Sequence, residues 1–118
     1  MLFSTAADYQ EKRLSLDERL IQHPAATFFV RAQGTGLEEA GIFHGDTLVV
    51  DRALKPQSGD IVMCLVDGEL SIKTLVRGQE KTELNSLCPP YTAIPLQDGQ
   101  VLEVWGVVLH TIHTLRQS

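Results

Sequence analysis

The sequence predicts a mostly β protein that begins with a short helix, and three observations support this prediction. Apolar and β-branched runs recur between short polar turns, a pattern typical of strands. The dipeptide Asp67-Gly68 divides one of these runs, 60–78, as the two-residue turn of a hairpin would. Helical and strand patterns do not alternate along the chain, so a parallel sheet built from βαβ units is not expected.

Before residue 24 the pattern is helical. We expect a loose arm over 1–7 and a helical patch over 8–22, with Asp17 as the candidate N-cap of a shorter helix. His23 precedes a proline, and a residue in that position avoids the α conformation, so the helix should end there. This boundary predicts two parts: an N-terminal arm with a short helix, 1–23, and a β domain, 24–118.

The β domain should contain strands, one helical turn near 37–40, and a proline-rich loop around a short apolar piece. In the last apolar run, Gly106 predicts a bend or a bulge. The expected strands are 26–33, 46–52, the two arms of the hairpin in 60–78, a weaker strand in 81–87, and a long strand in 101–115; the proline-rich loop is 88–100.

Composition excludes several functional classes. Hydrophobic residues make up 43% and charged residues 21% of the chain, as in an ordinary globular domain. The net charge of −5 argues against a surface that binds nucleic acid directly. No signal peptide and no apolar run of about 18 residues is present, so we expect a cytoplasmic protein without a membrane span. Cys64 and Cys88 are interpreted as thiols of a reducing compartment.

The segment "GTGLEEAG", residues 34–41, separates the first two strands and admits three interpretations. It could cradle a phosphate, form a plain turn, or be a catalytic loop that lacks a residue. A phosphate loop requires a lysine that is absent here, and Glu38 and Glu39 would repel a phosphate. The third glycine of a dinucleotide fingerprint is also missing. The residues alone therefore favour a plain turn.

Lys73 is the residue with the clearest chemical potential, because it interrupts the apolar run "ELSIKTLV". Its side chain either extends to solvent at the sheet margin or has a partly desolvated ammonium, which would suit a general base in a Ser–Lys dyad. None of the serines lies in a loop built to present a nucleophile. The histidines and cysteines lack the spacing of zinc ligands, so neither a metal nor another cofactor is expected.

Five segments, in order, resemble the UmuD/UmuD′-like branch of the LexA-type serine–lysine self-cleaving peptidase family. The resemblance implies a LexA/signal-peptidase-like fold of curled antiparallel sheets with a short N-terminal helix. The segments are "AADYQEKR", "LIQHPAATFFVRAQG", "GIFHGDTLVVDRAL", "GDIVMCLVDGELSIKTL" and "VWGVVLHTIHTLR".

The resemblance also implies site residues. The family carries its nucleophile in a Gly-Asp-Ser-Met loop, which corresponds to Gly34, Thr35, Gly36 and Leu37, and its general-base lysine corresponds to Lys73. Gly36 therefore stands at the nucleophile position without a hydroxyl. The family's cleavable arm ends in a Cys-Gly or Ala-Gly bond, and none precedes "STAADY". The expectation is a chain that needs no cutting and is catalytically inactive.

The function implied by the resemblance is that of an accessory subunit of an error-prone translesion DNA polymerase in the SOS response. Its expected partners are a second copy of the chain, a Y-family polymerase subunit (UmuC-like) and the RecA filament, with 101–115 as the dimer strand. Two alternatives remain. The chain could be an active LexA-type peptidase that cleaves itself or another chain, or an inactive regulator that dimerises with a full-length relative.

Overall fold

The computed structural model describes residues 15–79, 81–87, 92–95 and 102–116, which form one antiparallel sheet of seven strands. The order of the strands across the sheet is β1-β2-β7-β3-β4-β5-β6. The predicted mostly β class is therefore confirmed. The strands are β1 (Thr27–Arg31), β2 (Thr47–Asp51), β3 (Ile61–Val66), β4 (Glu69–Arg77), β5 (Thr82–Asn85), β6 (Ala93–Pro95) and β7 (Leu102–Ile112).

The predicted hairpin turn is confirmed at the end of β3. Val66 pairs with Glu69 across the turn, and the two residues between them both have positive φ. Asp67 has φ 49° and Gly68 has φ 85°. Two consecutive residues with positive φ match the right-handed twist of the flanking strands, which explains why this dipeptide fixes the register of β3 against β4.

The cap of the described N-terminal helix differs from the predicted one. Helix α1 spans Leu16–Leu20, and the side chain of Ser15 accepts the N–H of Glu18 at 3.4 Å. The predicted cap, Asp17, was wrong. Asp17 lies inside the first turn, where its negative charge interacts favourably with the helix dipole. The rest of the expected patch, 8–14, and the expected arm, 1–7, lie outside the described residues.

The short helical turn expected near 37–40 is confirmed as a 3-10 turn, Glu38–Ala40. A second 3-10 turn, Pro24–Ala26, leads into β1. The proline-rich loop contains β6, while most of the rest of that predicted loop lies outside the described residues.

Strand β7 joins the two halves of the sheet. Its first half pairs with β3, from Leu102 to Val107, and its second half pairs with β2, from Val107 to Ile112. These two neighbours lie on opposite edges of β7. The second half of β7 therefore keeps one edge without a strand partner among the residues that the structure describes.

The core lies on both faces of the sheet, because alternate residues of each strand point in opposite directions. The first cluster contains Ala32, Ile42, Leu48, Val50 and Met63, all buried. The second cluster contains Val62, Cys64, Leu75, Leu84 and Val107, also buried. Because Met63 lies between Val62 and Cys64, one strand contributes to both clusters.

Gly106 lies at a close approach between β7 and β2. A Cβ at this position would lie 2.6 Å from Cγ1 of Val50 and 3.0 Å from the carbonyl oxygen of Asp51. The pairing register of β7 shifts at two residues: at Trp105, where β7 pairs with β3, and at Leu109, where it pairs with β2. The predicted bulge is therefore displaced from Gly106, whose own role is to let the two backbones meet.

Two buried carboxylates, Asp46 and Asp51, flank the apolar centre of β2, with 2% and 0% of their surface exposed. The ring N–H at Nδ1 of His23 donates to Oδ2 of Asp51 at 2.7 Å. The other carboxylate oxygen of Asp51 accepts the N–H of Ala53 at 2.8 Å. Asp51 thus fixes the segment that enters β1.

Asp46 fixes the opposite end of the chain. The ring N–H at Nδ1 of His113 donates to Oδ1 of Asp46 at 2.6 Å. Oδ2 accepts the N–H of Phe43 at 2.8 Å and the hydroxyl of Thr111 at 3.2 Å. The Phe43 and His113 rings also pack against each other, with centroids 5.0 Å apart.

Burial by itself would raise the pKa of both carboxyls, because it disfavours the charged form. For Asp46, the hydrogen bonds from Phe43, His113 and Thr111 outweigh burial and lower the pKa. For Asp51, the hydrogen bonds from His23 and the following backbone N–H groups lower the pKa in the same way. Both side chains are therefore held as carboxylates.

We predict that Gly106→Ala destabilises the fold by about 1–3 kcal/mol, the usual cost of overpacking, because the added methyl group meets the β2 backbone. The measurement is the free energy of unfolding in urea. The matched control is Gly78→Ala, whose added Cβ would meet only a carbonyl oxygen at 3.4 Å. Equal stability of the two variants would contradict the close-approach role of Gly106.

We predict that the free energy of unfolding falls as the pH drops below about 4. The unfolded carboxyls have a pKa near 3.9, while the pKa of Asp46 and Asp51 is lower in the fold, so the unfolded state binds more protons in this range. Urea unfolding between about pH 6 and pH 3 measures this slope. Asp46→Asn and Asp51→Asn should each flatten it, and an unchanged slope in both variants would contradict the linkage.

Candidate functional site

The loop between β1 and β2 is closed at its base by backbone hydrogen bonds. The N–H of Ala32 donates to the carbonyl of Asp46, and the N–H of Gly45 donates to the carbonyl of Ala32, both at 2.8 Å. Within the loop, Gly34 and Gly36 have φ of 91° and 107°. Such values suit glycine and strain other residues. The rigid base and the glycine conformations together set the direction in which the loop projects.

Two side chains accept the backbone N–H groups of these glycines. The N–H of Gly34 donates to Nδ1 of His44 at 2.9 Å. The N–H of Gly36 donates to a carboxylate oxygen of Glu38 at 2.8 Å. Sequence reasoning missed both contacts, because it considered Glu38 only as an obstacle to phosphate. The available signal was a side chain that can accept a hydrogen bond, placed two residues after a glycine in the loop.

Position 36 has room for a side chain but not the backbone conformation for one. A Cβ built on Gly36 meets no other atom within 4 Å, so a serine would not be excluded by packing. At φ 107°, however, a serine would be strained. The loop therefore lies in a conformation that glycine permits.

One cavity of about 380 Å³ separates this loop from the beginning of β4. Thr35 and Leu37, the two neighbours of Gly36, line one side, and Ser71 and Ile72 line the other. Most of its wall is apolar. The complete lining is Val30, Arg31, Ala32, Gln33, Thr35, Leu37, Met63, Leu70, Ser71 and Ile72.

Lys73 is half-buried in β4, directly after the residues that line the cavity. It pairs with Val62 of β3. No carboxylate pairs with its ammonium within the described part of the chain. Gly36 and Lys73 thus each lie next to lining residues on opposite sides of one cavity, and their catalytic roles stay a prediction.

The buried thiol of Cys64 lies on β3, the strand that pairs with β4. Burial raises the pKa of this thiol, and its hydrogen bond to the carbonyl of Ser71 and the charge of Lys73 only partly oppose the effect. The Sγ–O distance is 3.6 Å. Cys64 is therefore a packed, protonated thiol of the core.

The edge of β4 beside the cavity is open. β5 pairs with β4 only from Thr74 onward, so Glu69–Lys73 has β3 on one edge and no strand on the other among the described residues. Leu70, which lines the cavity, is 45% exposed. An apolar cavity beside unpaired backbone groups can receive an extended peptide.

No group of three His, Cys, Asp or Glu side chains in 15–79, 81–87, 92–95 or 102–116 could hold a metal ion. Within the same ranges, no helix has the length and apolar character needed to cross a bilayer.

Comparison with known proteins identifies relatives along almost the whole chain. Protein ImpA of Escherichia coli is 44% identical over 115 residues, which cover 97% of this chain and 77% of that protein. Protein MucA of Escherichia coli is 36% identical over 111 residues, covering 92% of this chain and 75% of that protein. The LexA repressor of Azoarcus sp. is 30% identical over 110 residues, covering 92% of this chain and 54% of the repressor.

The family resemblance seen in the sequence is confirmed by these relatives and by the antiparallel sheet. The family model described as Peptidase S24-like matches residues 2–109. This chain belongs to the Peptidase S24-like family.

Proposed function

We propose that this chain is a UmuD′-like accessory subunit of an error-prone translesion DNA polymerase in the SOS response, and that it acts without peptidase activity. The observation that carries the proposal is the family scaffold, and it is supported by the glycine that stands at the predicted nucleophile position. Glycine has no side chain to acylate, and removing the nucleophile of a dyad removes most of covalent catalysis. Identity of 36–44% to ImpA, SamA and MucA supports the accessory role over that of a repressor.

The proposed partners are a second copy of the chain, a Y-family polymerase subunit (UmuC-like) and the RecA filament. The net charge of −5 suits a subunit that leaves contact with DNA to its partners. The open edge of the second half of β7 supports its role as the dimer strand, since unpaired strand edges favour pairing with another chain. Ile112, on this half of β7, is 43% exposed. A cytoplasmic location belongs to the same proposal.

The division of the chain into an arm with a short helix, 1–23, and a β domain, 24–118, stays a prediction. The hydrogen bond between His23 and Asp51 supports a boundary at this point, because it fixes the residue where the β domain begins.

We predict that the chain co-purifies with its cognate Y-family polymerase subunit as two copies to one polymerase. Light scattering coupled to size exclusion measures the mass of the complex. The dimer-interface control is Ile112→Glu, which places a charge on the open half of β7 and should lower the yield of both dimer and complex. A dimer that binds no polymerase subunit would contradict the accessory role.

We predict no hydrolysis of a peptide that carries an Ala-Gly bond, at any concentration of the chain. Lys73→Ala should leave this result unchanged, because a general base without a nucleophile has no proton to accept. The measurement is mass spectrometry of the peptide after prolonged incubation. Cleavage that disappears in Lys73→Ala would support the peptidase alternative instead.

A second candidate function, an inactive regulator of a full-length relative, is favoured by the cavity and the open edge of β4. Both features suit the binding of an extended segment, and the chain has no hydroxyl at position 36 with which to cut it. Formation of a heterodimer with an arm-bearing relative, without cleavage of the bound arm, distinguishes this function from the accessory role.

A further inference from the structure

The main-chain N–H of Gly36 is already occupied. It donates to a carboxylate oxygen of Glu38 at 2.8 Å, and both residues lie in the exposed loop beside the cavity. A hydrogen bond to an ionised carboxylate is stronger than one to a neutral carbonyl oxygen. A ligand that requires the N–H of Gly36 must therefore displace the side chain of Glu38 first.

Acyl transfer needs this kind of N–H. In chymotrypsin-like serine proteases the main-chain N–H of the nucleophile is one of the donors to the oxygen on which negative charge develops, and losing one oxyanion-hole donor costs about 10²–10³ in rate. A carboxylate in that place has two effects. It occupies the N–H donor, and its negative charge repels the negative charge that develops in the transition state.

We infer that Glu38 is a second barrier to acyl transfer in this chain, independent of the missing serine. The side chain of Glu38 accepts the main-chain N–H of residue 36 and keeps it from a substrate. Replacing the glycine alone therefore does not restore a reactive site. The inference rests on the proposed assignment of Gly36 to the nucleophile position. It adds to that assignment, because the contact with Glu38 blocks the site in addition to the missing serine side chain.

The backbone of the loop agrees with this inference. Gly36 has φ 107°, and the side chain of Glu38 reaches its N–H in this conformation. A serine at position 36 meets no steric obstacle within 4 Å of its Cβ, but it favours negative φ. Restoring the reactive geometry therefore requires the loop to leave the conformation that the contact with Glu38 stabilises.

The test compares Gly36→Ser with the double variant Gly36→Ser/Glu38→Ala in their reaction with a fluorophosphonate. In this reaction the introduced hydroxyl oxygen forms a bond to phosphorus, the P–F bond breaks, fluoride leaves, and the hydroxyl proton passes to a base in the buffer. We expect the double variant to be labelled at least about tenfold faster than the single variant. Mass spectrometry of the intact chain measures the rate of labelling.

The matched control is Gly36→Ser/Glu69→Ala, which removes the same charge from an exposed residue at the start of β4, next to the cavity-lining Leu70. It should be labelled at the rate of Gly36→Ser. Equal rates in the two double variants would show a general effect of charge and overturn the inference. Equal rates in Gly36→Ser and Gly36→Ser/Glu38→Ala, including no labelling of either, would overturn it as well.

A second measurement examines the contact without any reaction. Amide hydrogen exchange at Gly36, followed by NMR, should be faster in Glu38→Ala than in Glu69→Ala by about tenfold, the factor expected for a hydrogen bond to a charged group. Equal exchange rates would overturn the inference. Neither measurement involves a polymerase subunit, so failure here leaves the accessory role standing, and failure to bind the polymerase leaves this inference standing.

Discussion

The two carboxylates of β2 are the constraint on which the rest of the structure depends. Asp46 and Asp51 are almost completely buried, and a charge in that position is tolerated only when hydrogen bonds surround it. The segments that supply those bonds come from opposite ends of the chain, through His23 and His113. Strand β2 therefore forms part of the apolar centre of the sheet. The carboxylates at its two ends fix the segments that contain His23 and His113. The base of the loop that carries Gly36 is hydrogen-bonded to Asp46, so the site is positioned by this arrangement.

The arrangement of the sheet and the conformation of the loop together form the site. The sheet brings the loop and the first half of β4 to opposite sides of one cavity, although they are more than 30 residues apart in sequence. The loop then adopts a conformation in which its N–H groups are taken by its own side chains, His44 and Glu38. The cavity and the open strand edge can receive an extended peptide, and under the proposed assignment of Gly36 the loop lacks the hydroxyl and the free N–H donor that cutting a peptide would need. Within one family scaffold, binding and catalysis are thus separable, because they depend on different atoms.

The sequence-based predictions succeeded where the signal was local. Asp67-Gly68 required positive φ at two consecutive residues, and the hairpin register followed from that. The apolar runs predicted the strands, because β2 and β3 are short, mainly apolar runs that are buried on both faces of the sheet. The helix cap was assigned to Asp17 instead of Ser15, since two neighbouring residues can both cap a helix and only the backbone conformation decides between them. The family resemblance assigned the nucleophile position to Gly36 and the general-base position to Lys73, and both assignments stay predictions; physical reasoning from the residues alone favoured a plain turn.

The sequence by itself determined the β class, the hairpin and the family, because these depend on residue periodicity, turn chemistry and matching segments. Tertiary structure decided everything that joins distant residues. The bonds from the two histidines to the β2 carboxylates, the close approach that requires Gly106, and the cavity between the loop and β4 all arise from strand order, which periodicity does not encode. The contact between Glu38 and Gly36 is the instructive exception. Its residues are two positions apart, yet it depends on the loop conformation, which the closed base imposes.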